Sequence, residues 1–211
     1  MKYTDLGFRA FYHQLVVVPL KDELKPCVKD FPGMKDADHI LTYGYIDHDC
    51  GLTLEVLALA RCDDKGFSIA ETNDAVKSMI RVGAVAEDPV LFISDDSGEI
   101  SKLYAHKIGP LHHYDVSEEI EATRGMRFLD SCRDQYYVDD VLVYLLRDGF
   151  DPEGCWVRIN GIGERWITGI LLNEPYQDFG CHKGEQISFV VRKTENGKVV
   201  CCSNGSTDEK Q

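Results

Sequence analysis

No stretch of this 211-residue sequence approaches the ~18 consecutive apolar residues of a membrane-spanning helix. Leu15 to Val18 is too short for the core of an export signal, and the charges of Lys21 to Lys25 interrupt any extension. The chain is also poor in positive charge. Its 23 Lys and Arg face 36 Asp and Glu, a net −13. The deficit is even, −6 over residues 1–113 and −7 over 114–211. No cationic face can be assembled from such a balance, so phosphate-backbone binding lacks its main driving force and anionic membranes are disfavoured. The expectation is a cytoplasmic protein that binds neither nucleic acid nor membrane. A macromolecular partner, if the chain has one, is expected to be a basic protein.

Site fingerprints are missing too. Neither a phosphate-loop nor a dinucleotide glycine pattern occurs, and Asn160-Gly161-Ile162-Gly163 lacks the helix that would have to follow it. There is no internal repeat and no low-complexity run. Eight cysteines are many, but without an export signal they read as reduced thiols. Cys62, Cys132 and Cys201-Cys202 fall in apolar runs, where a thiol packs as a small hydrophobe. No C-x-x-C or H-x-x-x-H spacing is present. His48-Asp49-Cys50 and Cys181-His182 offer zinc-type donors, but adjacent residues rarely both reach one ion. No metal and no cofactor is therefore expected.

What is present is a chain long enough for one large domain or two smaller ones, with an ordinary 44% of hydrophobic residues. Apolar runs predict a strand over 11–19, a hairpin of 40–46 with 52–60 across the turn Asp47 to Gly51, and a strand over 89–94 paired with 100–108. Asp22 to Lys29 offers one or two helical turns, and Ala75, Val76, Met79 and Ile80 predict a helix over 70–82. Gly109-Pro110 is the best candidate for a domain boundary. Beyond it, Asp115 or Ser117 caps a helix predicted to reach Arg133, with Glu118, Glu119 and Glu121 in its first turn. Val138 to Leu146 predicts a strand, and Lys198 to Cys202 an edge strand before a frayed tail from Ser203 that includes Gly205.

Residues 154–191 organise the second half. Cys155 to Asn160 and Arg165 to Leu172 predict a hairpin whose turn starts at Asn160-Gly161, with Gly161 at positive φ. Gly169 within the return strand points to a bulge or a close backbone approach. Pro175 ends that strand, and Lys183-Gly184-Glu185 turns into a third strand over 186–192. The matching residues Trp156, Val157, Gly169, Leu171, Leu172, Asn173, Glu174, Pro175, Lys183, Gly184, Glu185 and Phe189 form a pattern that resembles a family of uncharacterised bacterial domains. Some relatives of that family occur beside polymorphic-toxin immunity genes. The likeness covers the last ninety residues or so, and it implies a small α+β domain with no established reaction.

The resulting expectation is an α+β protein. An N-terminal α+β region spans residues 1–113. A C-terminal domain of one helix on a curved antiparallel sheet spans 114–202, and a flexible tail spans 203–211. Candidate binding residues are Trp156, Trp166, Asn173, Glu174, Tyr176 and His182, with no catalytic residue assigned. The two tryptophans lie on opposing strands of one hairpin and read first as a core pair. Asn173-Glu174-Pro175 reads first as a turn cassette, because proline holds the preceding residue extended. His112-His113 beside Tyr114-Asp115 reads as an exposed linker rather than an acid–base pair. Two functions follow: a non-catalytic protein-binding module, immunity-like in character, or a small-molecule enzyme with a carboxylate and histidine site between the domains.

Overall fold

The computed structural model describes residues 1–63, 66–71 and 73–205. It is a mixed helix and sheet protein that divides into two compact units, Met1–Asp115 and Val116–Gln211.

The first unit is built on a curled antiparallel sheet. β1 (Leu15–Pro19), β2 (His39–Asp47), β3 (Gly51–Asp63), β4 (Gly66–Ile69) and β6 (Leu91–Ile93) lie in the order β4-β3-β2-β1-β6. β5 (Met79–Arg81) also pairs β3, on Thr53 to Glu55, while β4 takes Ala60 to Asp63. The expected hairpin of 40–46 with 52–60 is β2–β3, and its turn is fixed by Asp47 Oδ1, which accepts the Asp49 and Cys50 amides. β3 is buried from Gly51 to Ala60, so both faces of the sheet are covered there. On one face Leu15, Val17, Leu41, Leu57 and Ala58 pack with Tyr104. Behind β1, Phe11 meets Tyr3 and Phe92 edge-on, each at 5.3 Å between ring centres.

Two expectations fail in this unit. No α-helix forms over the described part of 70–82, where Met79–Arg81 is strand and a 3₁₀ turn starts only at Val82; Thr72 lies outside the described residues. Asn73 Oδ1 instead accepts the Ala75 amide, the Ser78 carbonyl accepts the Val56 amide of β3, and the Val76 carbonyl accepts Lys107 Nζ at 2.9 Å. Side-chain and sheet partners thus take backbone groups that a helix needs. The expected strand over 100–108 is two short helices, α3 (Glu99–Leu103) and α4 (Ala105–Ile108); α1 (Tyr3–Leu6) and α2 (Lys25–Val28) precede them. The Asp95 carboxylate accepts the Ile100 and Ser101 amides at 3.0 and 2.8 Å, which starts the turn. Ile100, Tyr104 and Ile108 then fall on one face. β1 is also shorter than expected, because the 3₁₀ turn of Phe8–Ala10 runs on: the Phe8 carbonyl accepts the Tyr12 amide, the Phe11 carbonyl accepts the Gln14 amide, and His13 stands at φ 57°.

The second unit is a five-stranded closed barrel. α5 (Glu118–Gly125) is capped by Ser117, one of the two residues expected there, but it stops at Gly125, and Arg127–Cys132 continues as 3₁₀ helix. β7 (Asp140–Leu145), β8 (Glu153–Ile162), β9 (Ile167–Leu171), β10 (Gln186–Lys193) and β11 (Val199–Ser203) follow as an up-and-down meander. β11 is not the expected edge strand. It pairs β10 on one side and β7 on the other, Cys201 with Val143 to Ser203 with Leu145. An odd number of alternating strands forces that closing pair to be parallel, so the sheet is not wholly antiparallel. Ser203, placed in the tail by sequence, ends β11 and is buried; residues 206–211 of that tail lie outside the described residues.

Inward side chains of Val141, Val143, Leu145, Cys155, Val157, Ile159, Leu171, Ile187 and Phe189 fill the barrel. All eight thiols are free, and Cys132 and Cys201 are buried among apolar neighbours as expected. Below the barrel, Arg124 of α5 holds Asp139 through two hydrogen bonds of 3.0 and 2.7 Å, both residues being buried. Arg133 donates to the Val138 and Thr123 carbonyls.

Candidate functional site

Strand parity decides which sequence candidates reach solvent. In β8, Cys155, Val157 and Ile159 point inward and Trp156, Arg158 and Asn160 outward. Trp156 is therefore 37% exposed and no part of the core, contrary to the expected core pair. Trp166 lies at the opposite end of the hairpin, in the turn, where its carbonyl accepts the Gly163 amide at 2.8 Å. The two tryptophans do not form one site. The turn itself is also displaced from expectation. A bulge between Ile159 and Gly161 keeps Asn160-Gly161 inside β8, and Gly161 is not at positive φ. Gly169 is the close approach that was expected: an added Cβ would stand 2.5 Å from the Arg158 carbonyl oxygen.

Asn173 continues the ladder where β9 ends. Its Oδ1 accepts the Trp156 amide at 2.7 Å while the Trp156 carbonyl accepts the Leu172 amide at 2.8 Å. Pro175 then turns the chain away. Glu153 receives it, its two carboxylate oxygens accepting the Tyr176 and Gln177 amides at 2.7 and 3.2 Å. Glu174 spans to the next turn: one oxygen meets His182 Nδ1 at 2.7 Å and the other accepts the Lys183 amide at 2.8 Å. Glu185 accepts the His182 amide at 2.8 Å, and Gly184 at φ 88° makes the expected turn into β10. The Glu174 carboxyl is held below its ordinary value by the His182 hydrogen bond, and His182 is held above its own by the same bond. Glu174, His182 and Glu185 thus brace the one connection between β9 and β10 against itself, and Glu153 fastens it to the start of β8. Tyr176 is 99% exposed and contributes its backbone, not its ring, to that fastening.

Trp156 and Asn173 also line an open concavity of about 210 Å³ with Leu172, Asp134, Tyr137 and Asp140. Asp134, Tyr137 and Asp140 were not among the sequence candidates. Their signal was present: Asp134 Oδ1 accepts the Tyr136 and Tyr137 amides at 2.8 and 3.0 Å, an Asx-type turn that an Asp-x-Tyr-Tyr string favours. That turn presents Tyr137, 42% exposed, beside Trp156. Asp140 is partnered by Arg158 through contacts of 2.7 and 3.0 Å, so its charge is largely balanced. Asp134 forms no ion pair among the described residues. The concavity thus joins two aromatic side chains and an acidic group, the chemistry that attracts an organic cation.

The His112-His113 segment is part of a 3₁₀ helix, Gly109–Tyr114, in the first unit. His112 Nδ1 meets Asp115 at 2.9 Å, Tyr114 stacks on Tyr45 at 4.8 Å, and His13, at φ 57°, lies 3.2 Å from the Tyr43 hydroxyl. Burial and the charge of Asp115 raise the Tyr43 phenol. These groups border a cavity of about 20 Å³, room for a single water. No family model matches the chain, and neither a curated protein nor a solved structure was found that is similar to it.

Proposed function

We propose that this protein is a non-catalytic binding module whose second unit takes an arginine or lysine side chain of a basic protein partner. The observation that carries this reading is the concavity between Trp156, Tyr137 and Asp134. An aromatic face attracts a cation by about 0.5–2 kcal/mol, more as water is excluded, and a carboxylate alongside fixes its position. The net charge of −13 supplies long-range attraction to the same class of partner. A toxin-neutralising role of the immunity type is one setting in which an acidic protein meets a basic one, and it agrees with the sequence resemblance over the barrel unit.

The test uses an arginine-rich peptide and a glutamate-rich control of equal length. Fluorescence is read in a Trp166→Phe background, so that Trp156 is the sole indole. The arginine-rich peptide is expected to shift the emission and to bind several-fold more weakly at 300 mM than at 50 mM salt, where the screening length is shorter. Trp156→Ala and Asp134→Asn each weaken binding, measured calorimetrically. Equal binding of the two peptides, or arginine-peptide binding untouched by Trp156→Ala, would refute the site.

A further inference from the structure

A second cluster of ligating groups lies in the first unit, at the open end of the β2–β3 hairpin. We infer that Asp38, His39 and Cys62 form a binding site for one zinc-type divalent cation. Their donor atoms lie within 4.8 Å of one another. Three different donor chemistries meet there: a carboxylate, an imidazole and a thiol. The thiol and imidazole select a zinc-type ion over magnesium or calcium, which prefer all-oxygen shells.

The hairpin register creates the cluster. His39 opposes Ala60, so Cys62 lies just beyond the start of β2, where Asp38 precedes it. Adjacent residues in a strand face opposite ways, but Asp38 lies in a bend before β2 and is free of that alternation. Its carboxylate is therefore able to turn toward its neighbour: Asp38 Oδ1 meets His39 Nδ1 at 2.6 Å and accepts the Cys62 amide at 2.9 Å. Both hydrogen bonds fall on Oδ1, which leaves Oδ2 as the ligating oxygen. Donors around tetrahedral zinc stand about 3.3–3.6 Å apart. Closing from separations of up to 4.8 Å needs small rotations of side chains that are exposed (Asp38) or half-buried (His39 and Cys62). Three protein donors leave a fourth position for water. Binding takes Cys62 as the thiolate, its proton passing to solvent, and His39 as the neutral ring.

No spacing rule would find this set, because two donors are neighbours and the third comes from the following strand. The sequence candidates for zinc, His48-Asp49-Cys50 and Cys181-His182, are not part of it.

The probe is Co²⁺ added to the reduced, full-length protein, with chelator used beforehand to strip metal. One equivalent is expected to give the near-ultraviolet thiolate-to-cobalt charge-transfer band, and Zn²⁺ should abolish it by displacement. Cys62→Ser removes the band, and both it and His39→Gln weaken Zn²⁺ binding by at least about tenfold, the minimum loss seen on removing even an outer partner of a metal site. Cys50→Ser and Cys27→Ser, exposed thiols elsewhere, leave the band intact. Circular dichroism of each variant confirms folding, so that a lost band reports ligation. No band at one equivalent, or a band lost with Cys50→Ser and kept with Cys62→Ser, overturns the assignment.

Discussion

At the scale of single residues, the exposed pair Glu174–His182 gives a pH dependence with a defined sign. His182 has a raised folded-state pKa, so its contribution is complete at pH below its unfolded value and lost as pH rises through the folded value. Glu174 has a lowered one, so its contribution is present above its unfolded value and lost as pH falls through the folded value. This link within the β9–β10 connection is therefore tightest in the mildly acidic window between the two titrations. Both groups are solvent-exposed, and the effect is local. NMR titration of the His182 ring should show a pKa that falls toward the ordinary imidazole value in Glu174→Gln. An unchanged titration in that variant would mean the 2.7 Å contact does not persist in solution. Asn173 and Glu174 were recognised from sequence as a cassette because proline imposes extended backbone before it. That Asn173 caps the amide of Trp156 instead of its own loop depended on the β8–β9 register, which local chemistry does not encode.

Among the elements, those carrying their own apolar run or alternation were readable and those held by distant partners were not. β2–β3, β7 and β10 follow their apolar pattern, and Ser117 begins α5 as its side chain requires. Residues 70–82 carry helical spacing, but the edge of β3 and the buried Lys107 claim their backbone. The hairpin turn shows the same conflict: Asn-Gly is a strong turn signal, yet a bulge absorbs it and the chain reverses later, between Ile162 and Ile167. This reverses an expectation about two glycines. Gly161→Val brings a Cβ to 2.9 Å from Thr168 Oγ1 and 3.3 Å from Glu119 Oε2, both ends of side chains that can move. Gly205, just past β11, is at φ 77°, and its Cβ would stand 2.8 Å from the Phe179 carbonyl oxygen. Gly205→Val should therefore destabilise the unit by about 1–2 kcal/mol, and by more than Gly161→Val, in urea unfolding. Equal midpoints for wild type and Gly205→Val would show that the chain after Ser203 is not packed as described.

For the molecule as a whole, composition spoke to class and charge, while the barrel's closure and the donors of both sites came from pairings between strands. Trp156 and Asn173 were recognised as candidates, but Asp134 and Tyr137 join them only because β7 lies against β8. Closure itself rests on five short residues at the far end of the unit. Ser203 Oγ donates to the Ser188 carbonyl at 2.6 Å, and its carbonyl accepts the Leu146 amide at 2.8 Å, so one residue bonds both walls. A chain truncated after Lys198 should lose the cooperative unfolding of the second unit and gain dye-accessible apolar surface, whereas one truncated after Gly205 should keep the wild-type transition. A cooperative transition surviving the shorter truncation would contradict the closing role of β11. During synthesis this order has a further consequence. β7 and β10 both leave the ribosome before β11, each with one row of unpaired amides and carbonyls, and neither can be protected by the other. Until Val199–Ser203 has cleared the exit tunnel, the nascent barrel presents two adhesive margins to every neighbouring chain.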